Sequence, residues 1–202
     1  MRRDYTGQSL KRIKIARVAT FLERGPLPVK DLCRIISEYS QYFEGERGLV
    51  LNGHTCKVTA LAVLPAGKLA SGSTDNTVCV WEDGACRHTL KGHTRSVTAL
   101  AVLPDGKLAS GSFDKTVRVW DAASGACLLT LAGHTGYVRA LAVLPDGKLA
   151  SGSHDNTVRV WGMETCACLH ILSHTSDVTS LTVLRDGSLA VGLGDGSVDM
   201  WE

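Results

Sequence analysis

"GHTRSVTALAVLPDGKLASGSFDKTVRVWD", residues 92–121, is the stretch that decides the fold, because the chain repeats it. Residues 60–81 read "ALAVLPAGKLASGSTDNTVCVW" and residues 140–161 read "ALAVLPDGKLASGSHDNTVRVW". A looser copy, "SLTVLRDGSLAVGLGDGSVDMW", occupies residues 180–201. In every copy a histidine precedes the tryptophan by 27 residues, and only the loop after the tryptophan varies in length. A fixed internal period indicates a repeat protein whose units stack on one another.

The residues of one copy predict four short strands. Val97–Leu103 is rich in β-branched and aliphatic residues, and the "LPDG" that overlaps its end has proline and glycine where a turn requires them. Lys107–Ser112 is the second predicted strand, "TVRVW" is the third, and "CLLTLAGH" supplies the fourth before the next copy begins. Apolar or small residues on both faces are typical of a sheet that lies between two others.

A unit of about 40 residues with four strands, Gly-His near its start and Trp-Asp near its end resembles the WD repeat of β-propellers. The resemblance covers roughly residues 48–202. It implies an all-β, propeller-type fold of four blades, as an open arc or a small ring, preceded by a short α-helical segment. The predicted boundaries are 1–46 for the helical segment and 47–202 for the propeller, with blades at about 47–83, 84–122, 123–163 and 164–202.

The first three copies each contain, at the same positions, the three residue types of a serine hydrolase. By resemblance to WD repeats, the aspartate holds the histidine, the histidine bonds the serine, and the serine accepts from the tryptophan indole. Several copies of one buried arrangement favour internal bracing, because a hydrolase needs a single exposed nucleophile beside an oxyanion hole. There is also no G-x-S-x-G elbow. The predicted structural tetrads are His54, Ser71, Asp75 and Trp81; His93, Ser110, Asp114 and Trp120; His134, Ser151, Asp155 and Trp161; and His174, Asp195 and Trp201, where Val191 replaces the serine.

Positions that differ among near-identical copies are not fixed by packing, and they predict a binding surface. In this family the function usually lies on the rim, where the loops before the first strand and between the second and third strands emerge. Aromatic residues and arginine dominate protein interfaces. Drift after duplication is the alternative explanation. The predicted partner-binding rim consists of Lys57, Thr74, Arg95, Phe113, Tyr137, His154 and Asp177.

Residues 1–46 share nothing with the repeats. "LKRIKIARVATFLERG" predicts a basic helix that ends at Gly25 and Pro26, and the following apolar stripe predicts a second helix packed under the propeller. That stripe also resembles the opening helix of an F-box, which would dock on a Skp-type adaptor of a ubiquitin ligase. Lys30 stands where an acidic residue is usual, and the segment is too short for a full F-box. The predicted adaptor-docking residues are Leu27, Pro28, Leu32, Ile35, Ile36 and Tyr39.

Composition limits the classes of partner and compartment. The net charge of +2 gives no global field for nucleic acid or membrane, and no stretch is apolar enough to span a bilayer. Seven cysteines without an N-x-[ST] site favour a reducing compartment, so we expect the cytoplasm or the nucleus. Cys166 and Cys168, spaced C-x-C, are interpreted as strand positions, and we expect no metal and no cofactor.

The segment "RGLVLNGH", residues 47–54, reads like the last strand of a blade and predicts ring closure by completing the fourth blade. Three arrangements stay open: a closed ring of four blades, half of a ring completed by a second chain, and a truncated product. The leading functional hypothesis is a non-enzymatic scaffold that binds proteins or peptides. The alternatives are the substrate-recognition subunit of a Skp–cullin–F-box ubiquitin ligase and, disfavoured by the repeated tetrads, a hydrolase.

Overall fold

The computed structural model describes residues 50–202, which form four antiparallel β-sheets. The predicted helical segment 1–46, including the adaptor-docking residues 27–39, lies outside the described residues. Within the described part, the one helical element is a 3-10 turn at Pro65–Gly67, and no helix there could cross a membrane. The sheets are β1 (Val58–Val63), β2 (Leu69–Ser73), β3 (Val78–Glu82), β4 (Ala85–Leu90); β5 (Val97–Val102), β6 (Leu108–Ser112), β7 (Val117–Trp120), β8 (Cys127–Leu131); β9 (Val138–Val143), β10 (Leu149–Ser153), β11 (Thr157–Trp161), β12 (Cys168–Ser173); and β13 (Val178–Val183), β14 (Leu189–Leu193), β15 (Val198–Trp201).

Each sheet is a blade in which consecutive strands are neighbours. The outer strands β4, β8 and β12 each pair with the third strand of the same blade, as predicted for "CLLTLAGH" in the second blade, so each of these three sheets extends past the tryptophan near which the predicted blade bounds end. The short turn after the tryptophan makes this pairing possible. In the second blade, the Asp121 amide donates to the Ala126 carbonyl at 2.9 Å, which turns the chain back to pair antiparallel with β7.

The apolar core lies between successive blades. Between the first two blades, Val78 and Val80 of β3 pack with Val97 of β5 and with Trp120 of β7, and none of the four is more than 1% exposed. The same arrangement recurs between the second and third blades, and between the third and fourth blades Val158 packs with Val178 in a core that does not include the tryptophan. The inner strands of the second and third blades have a packed sheet on each face, so their residues are mostly apolar or small.

One contact fixes the spacing at these interfaces: a valine at the start of one blade lies over a glycine of the blade before it. A Cβ on Gly72 would come within 2.6 Å of Val97 Cγ1, and a Cβ on Gly111 within 2.6 Å of Val138 Cγ1. Gly152 meets Val178 in the same way. Glycine is therefore required at these positions by close packing and not by backbone conformation.

The four blades form an open arc within the described residues. Val58 on β1 is 52% exposed and Val198 on β15 is 65% exposed, so the first and fourth blades do not cover each other. Residues 50–53, the described part of the predicted closing strand, are not in a strand, and the fourth sheet has three strands. Within residues 50–202, the expected completion of the fourth blade by this segment is not formed.

Buried polar tetrads and a candidate binding rim

The second blade shows the complete polar tetrad. His93 Nδ1 lies 2.8 Å from Asp114 Oδ2, His93 Nε2 lies 2.7 Å from Ser110 Oγ, and the Trp120 indole donates to Ser110 Oγ at 2.8 Å. Because Nδ1 donates to the carboxylate, Nε2 accepts the serine hydroxyl proton. Ser110 is fully buried, and one hydroxyl therefore serves both the imidazole and the indole.

The tetrads of the first and third blades repeat this geometry. The histidine–aspartate distances are 2.8 and 2.9 Å, the histidine–serine distances are 2.8 Å in both, and the indole–serine distances are 2.7 and 2.8 Å. The three serines, Ser71, Ser110 and Ser151, are at most 2% exposed. No substrate could reach these hydroxyls, so the arrangement acts as bracing between the histidine loop, the second strand and the third strand.

The aspartate of each tetrad is a charged anchor for a tight turn. Asp114 accepts from the Thr94 amide, the Thr116 amide and, at 2.6 Å, the Thr116 hydroxyl. Burial favours the neutral carboxyl, but hydrogen bonds from His93 and Thr116 outweigh it and hold the pKa of Asp114 far below its ordinary value. The pKa values of Asp75 and Asp155 are lowered in the same way, against the opposing effect of burial.

These pKa shifts predict loss of stability in acid. Burial lowers the pKa of His134, and Asp155 partly opposes this effect. The contribution of His134 to the free energy of unfolding is therefore complete above about pH 6.5 and declines as the pH falls below that value. The three carboxylates contribute fully above about pH 4 and lose their contribution as the pH falls toward their lower folded pKa values. We expect urea unfolding to give a lower free energy at about pH 5 than at pH 7, and a steep fall below about pH 4. A free energy that is constant across this range would contradict the prediction.

The fourth blade differs from the expected tetrad. His174 Nδ1 lies 2.7 Å from Asp199 Oδ2 and not beside Asp195, whose carboxylate accepts from the Ser197 amide and hydroxyl at 2.9 and 2.6 Å. The sequence interpretation missed Asp199. Its signal was an acidic residue on the third strand where the other copies have Cys79, Arg118 and Arg159.

The missing serine of the fourth blade leaves one buried atom unsatisfied. Val191 occupies the serine position and offers no hydroxyl, so His174 Nε2 has no hydrogen-bond partner within residues 50–202. Trp201, which loses the same acceptor, is 38% exposed, whereas the equivalent Trp120 and Trp161 are 1% and 2% exposed. The fourth blade is therefore the one without a complete internal brace.

Within residues 50–202, no group of three or more His, Cys, Asp or Glu side chains is arranged to hold a metal ion. Cys168 begins β12, whereas Cys166 lies in the preceding turn with φ 57°, so the interpretation of both as strand positions is wrong for Cys166.

The predicted rim residues lie in loops that backbone hydrogen bonds join into a frame. In every blade, the residue before the turn aspartate donates its amide to the carbonyl that precedes the inner strand. The pairs are Thr74 to Lys57, Phe113 to Ser96, His154 to Tyr137 and Gly194 to Asp177, at 2.8–2.9 Å. This bond fixes the two loops of a blade together and leaves the side chains free to vary.

The structure brings three of the predicted rim side chains into contact. Phe113 of the second blade stacks on Tyr137 of the third, with ring centroids 4.7 Å apart and planes inclined by 27°. Tyr137 also lies 5.9 Å from the ring of His154. Phe113 and Tyr137 are half-buried and His154 is exposed. Arg95 is also exposed and lies directly before Ser96, whose carbonyl accepts the Phe113 amide. Its side chain is not part of the stack. We call Phe113, Tyr137 and His154 the aromatic rim.

Comparison with known proteins identifies relatives of these repeats. The family model described as "WD domain, G-beta repeat" matches residues 45–82, 84–121, 125–162 and 166–202. The crystal structure of the WD40 beta propeller domain of Doa1 is similar, with 28% sequence identity and a TM-score of 0.71 over 75% of this chain and 53% of that chain. This chain thus spans about half the length of that one. No curated protein matches significantly. Because 1314 solved chains match, the fold alone identifies no ligand.

Proposed function

Because this chain belongs to the WD domain, G-beta repeat family, whose propellers generally bind other proteins, we propose that it is a non-enzymatic scaffold that binds a protein partner at its aromatic rim. The observation that carries the proposal is the stack of Phe113 on Tyr137 across two blades. Both residues stand at positions that vary while the surrounding repeat is nearly invariant within the chain.

The chemistry of the aromatic rim suits a protein partner. Stacked, half-buried rings present a large apolar area with few rotatable bonds, so little conformational entropy is lost when a partner covers them. The exposed Arg95 and Lys115 lie in the loops of the same blade and supply positive charge. These features fit a segment with an aliphatic or aromatic anchor beside an acidic side chain.

The proposal predicts that the aromatic rim can be removed without loss of the fold. Phe113→Ala combined with Tyr137→Ala should reduce capture of the partner at least about tenfold, because buried aromatic anchors dominate interface energies. Quantitative affinity purification with mass spectrometry, using the wild-type chain and the variant at equal folded amounts, measures this effect.

The matched control is Leu169→Ala, which truncates an exposed apolar residue on the outer strand β12. It should leave the set of captured proteins unchanged. If the rim variant recovered the same partners in the same amounts as wild type, the rim would not be the binding site.

The ubiquitin-ligase hypothesis rests on residues 27–39, which lie outside the described residues, and no observation on the blades favours it. The same purification tests it, since a Skp-type adaptor among the captured proteins, lost on Leu32→Ala, is the outcome that the hypothesis requires.

A further inference from the structure

The first blade exposes an apolar face whose counterparts in the other blades are buried or half-buried. Val58, Leu61 and Val63 on β1 are 52%, 63% and 76% exposed. The residues equivalent to Val58 in the other three blades, Val97, Val138 and Val178, are all fully buried. We call Val58, Leu61 and Val63 the leading face.

The fourth blade exposes the complementary face. Val198 and Met200 on β15 are 65% and 51% exposed. Their counterparts on the third strands of the other blades are buried: Val78, Val117 and Val158 are 0% exposed, and Val80, Val119 and Val160 are 1–6% exposed. We call Val198 and Met200, together with Gly192 and Thr179 beside them, the trailing face.

The trailing face repeats the positions that join blades inside the chain. At the internal interfaces a glycine receives the valine of the next blade, and Gly192 stands at that glycine position. In the second blade, the Thr98 hydroxyl lies 3.1 Å from the Gly111 carbonyl and 2.6 Å from the Val138 carbonyl of the following blade. The Thr179 hydroxyl likewise lies 3.0 Å from the carbonyl of Gly192 in its own blade. The contact to a carbonyl of a following blade is missing, because the described residues include no following blade.

The leading face supplies what the trailing face lacks. Val58 has the side chain that would enter the pocket over Gly192 and the carbonyl that would accept from Thr179, as Val138 does for Gly111 and Thr98. In the chain on its own, the Ser180 hydroxyl occupies the space over Gly192. A change of the Ser180 rotamer opens this space for the valine. Neither face includes a charged residue, so no unpaired charge would be buried when the two faces meet.

We propose that the leading face of one copy of this chain packs against the trailing face of a second copy in the register of the internal interfaces. Two such contacts, related by a two-fold axis, close the two arcs into one ring of eight blades. Propellers of up to about eight blades occur, and a head-to-tail contact that closes on itself forms a ring instead of a filament. This surface is separate from the aromatic rim, so the inference does not depend on the proposed function.

The test measures the mass of the full chain in solution by sedimentation velocity and light scattering over a range of concentrations. The wild-type chain should approach twice its mass of 21.5 kDa as the concentration rises. Val58→Asp and Val198→Asp should each be monomeric, because each places a charge in an apolar interface. Ile171→Asp is the matched control: Ile171 is 53% exposed on the outer strand β12, away from both faces, and this variant should remain a dimer.

Mixing the two disrupted variants distinguishes a head-to-tail contact from a face-to-face one. The Val58→Asp chain retains an intact trailing face and the Val198→Asp chain retains an intact leading face, so their mixture should form a one-contact heterodimer. Its formation would also show that both variants are folded. Failure of the mixture to associate would overturn the head-to-tail arrangement, and open-ended growth of the wild type would overturn the closed ring. A wild-type chain that stays monomeric would overturn the proposal.

Discussion

Replacing Ser110 with alanine is expected to lower the free energy of unfolding by roughly 2–6 kcal/mol, because two buried groups lose their partner at once. The hydroxyl is 2.7 Å from His93 Nε2 and 2.8 Å from the Trp120 indole nitrogen. Both side chains are almost fully buried, so water cannot replace the missing hydroxyl without opening the blade. Each unsatisfied buried polar group costs about 1–3 kcal/mol.

Urea unfolding at one protein concentration measures this effect. Ser124→Ala is the matched control, since Ser124 is exposed in a loop of the same blade, where its hydroxyl donates to Asp121 and accepts from the Ala126 amide at 3.4 Å; it should change stability by less than about 0.5 kcal/mol. The reciprocal variant Val191→Thr restores a hydroxyl beside the unsatisfied His174 Nε2 and should stabilise by about 1 kcal/mol. Equal small effects for Ser110→Ala and Ser124→Ala would contradict the bracing role of the tetrad.

Gly111→Ala is expected to destabilise the chain by about 1–3 kcal/mol, although alanine is otherwise the better residue in a strand. A Cβ there would lie 2.6 Å from Val138 Cγ1 and 3.4 Å from Val138 Cβ. Val138 is fully buried and β-branched, so its side chain cannot rotate away, and the second and third blades must separate.

A double-mutant cycle with Val138→Ala assigns this cost to one contact. Val138→Ala alone removes buried apolar volume and should also destabilise. Combined with Gly111→Ala, the new methyl group fills part of the space left by the valine, so the double variant should lose less than the sum of the two single variants. Additive losses in urea unfolding would show that the cost of Gly111→Ala does not arise from Val138.

The repeat made the blades predictable from sequence. A pattern of apolar strands and Pro-Gly or Asp turns recurs with a fixed spacing, and strand formation depends on such local patterns. The second and third strands of the second blade, predicted as Lys107–Ser112 and "TVRVW", are observed at Leu108–Ser112 and Val117–Trp120. The fourth strand of this copy, predicted in "CLLTLAGH", is observed at Cys127–Leu131 in the same sheet, although the tryptophan near which the predicted blade bounds end does not end the sheet.

Features that depend on contacts between distant residues could not be read from the pattern. His174 pairs with Asp199 through Nδ1, while Val191 leaves Nε2 without a partner, and both facts depend on where side chains of separate strands lie. The stack of Phe113 on Tyr137 depends on the spacing of two blades, and the variation among copies indicated only that both positions were free to change. The open ends of the arc became visible only when the exposure of Val58 and Val198 was compared with that of their counterparts.

Carbethoxylation of histidine, followed by mass spectrometry of the native chain, tests most directly whether the repeated polar groups are internal braces while the variable residues form the accessible surface. The side chains of His93 and His134 are each 1% exposed, whereas His154 and His170 are exposed, so one chain contains both the test sites and their references. We expect rapid modification of His154 and His170, strong protection of His93 and His134, and equal rates for all four after denaturation. Native rates for His93 and His134 that matched that of His154 would place the tetrads at the surface and contradict the bracing role.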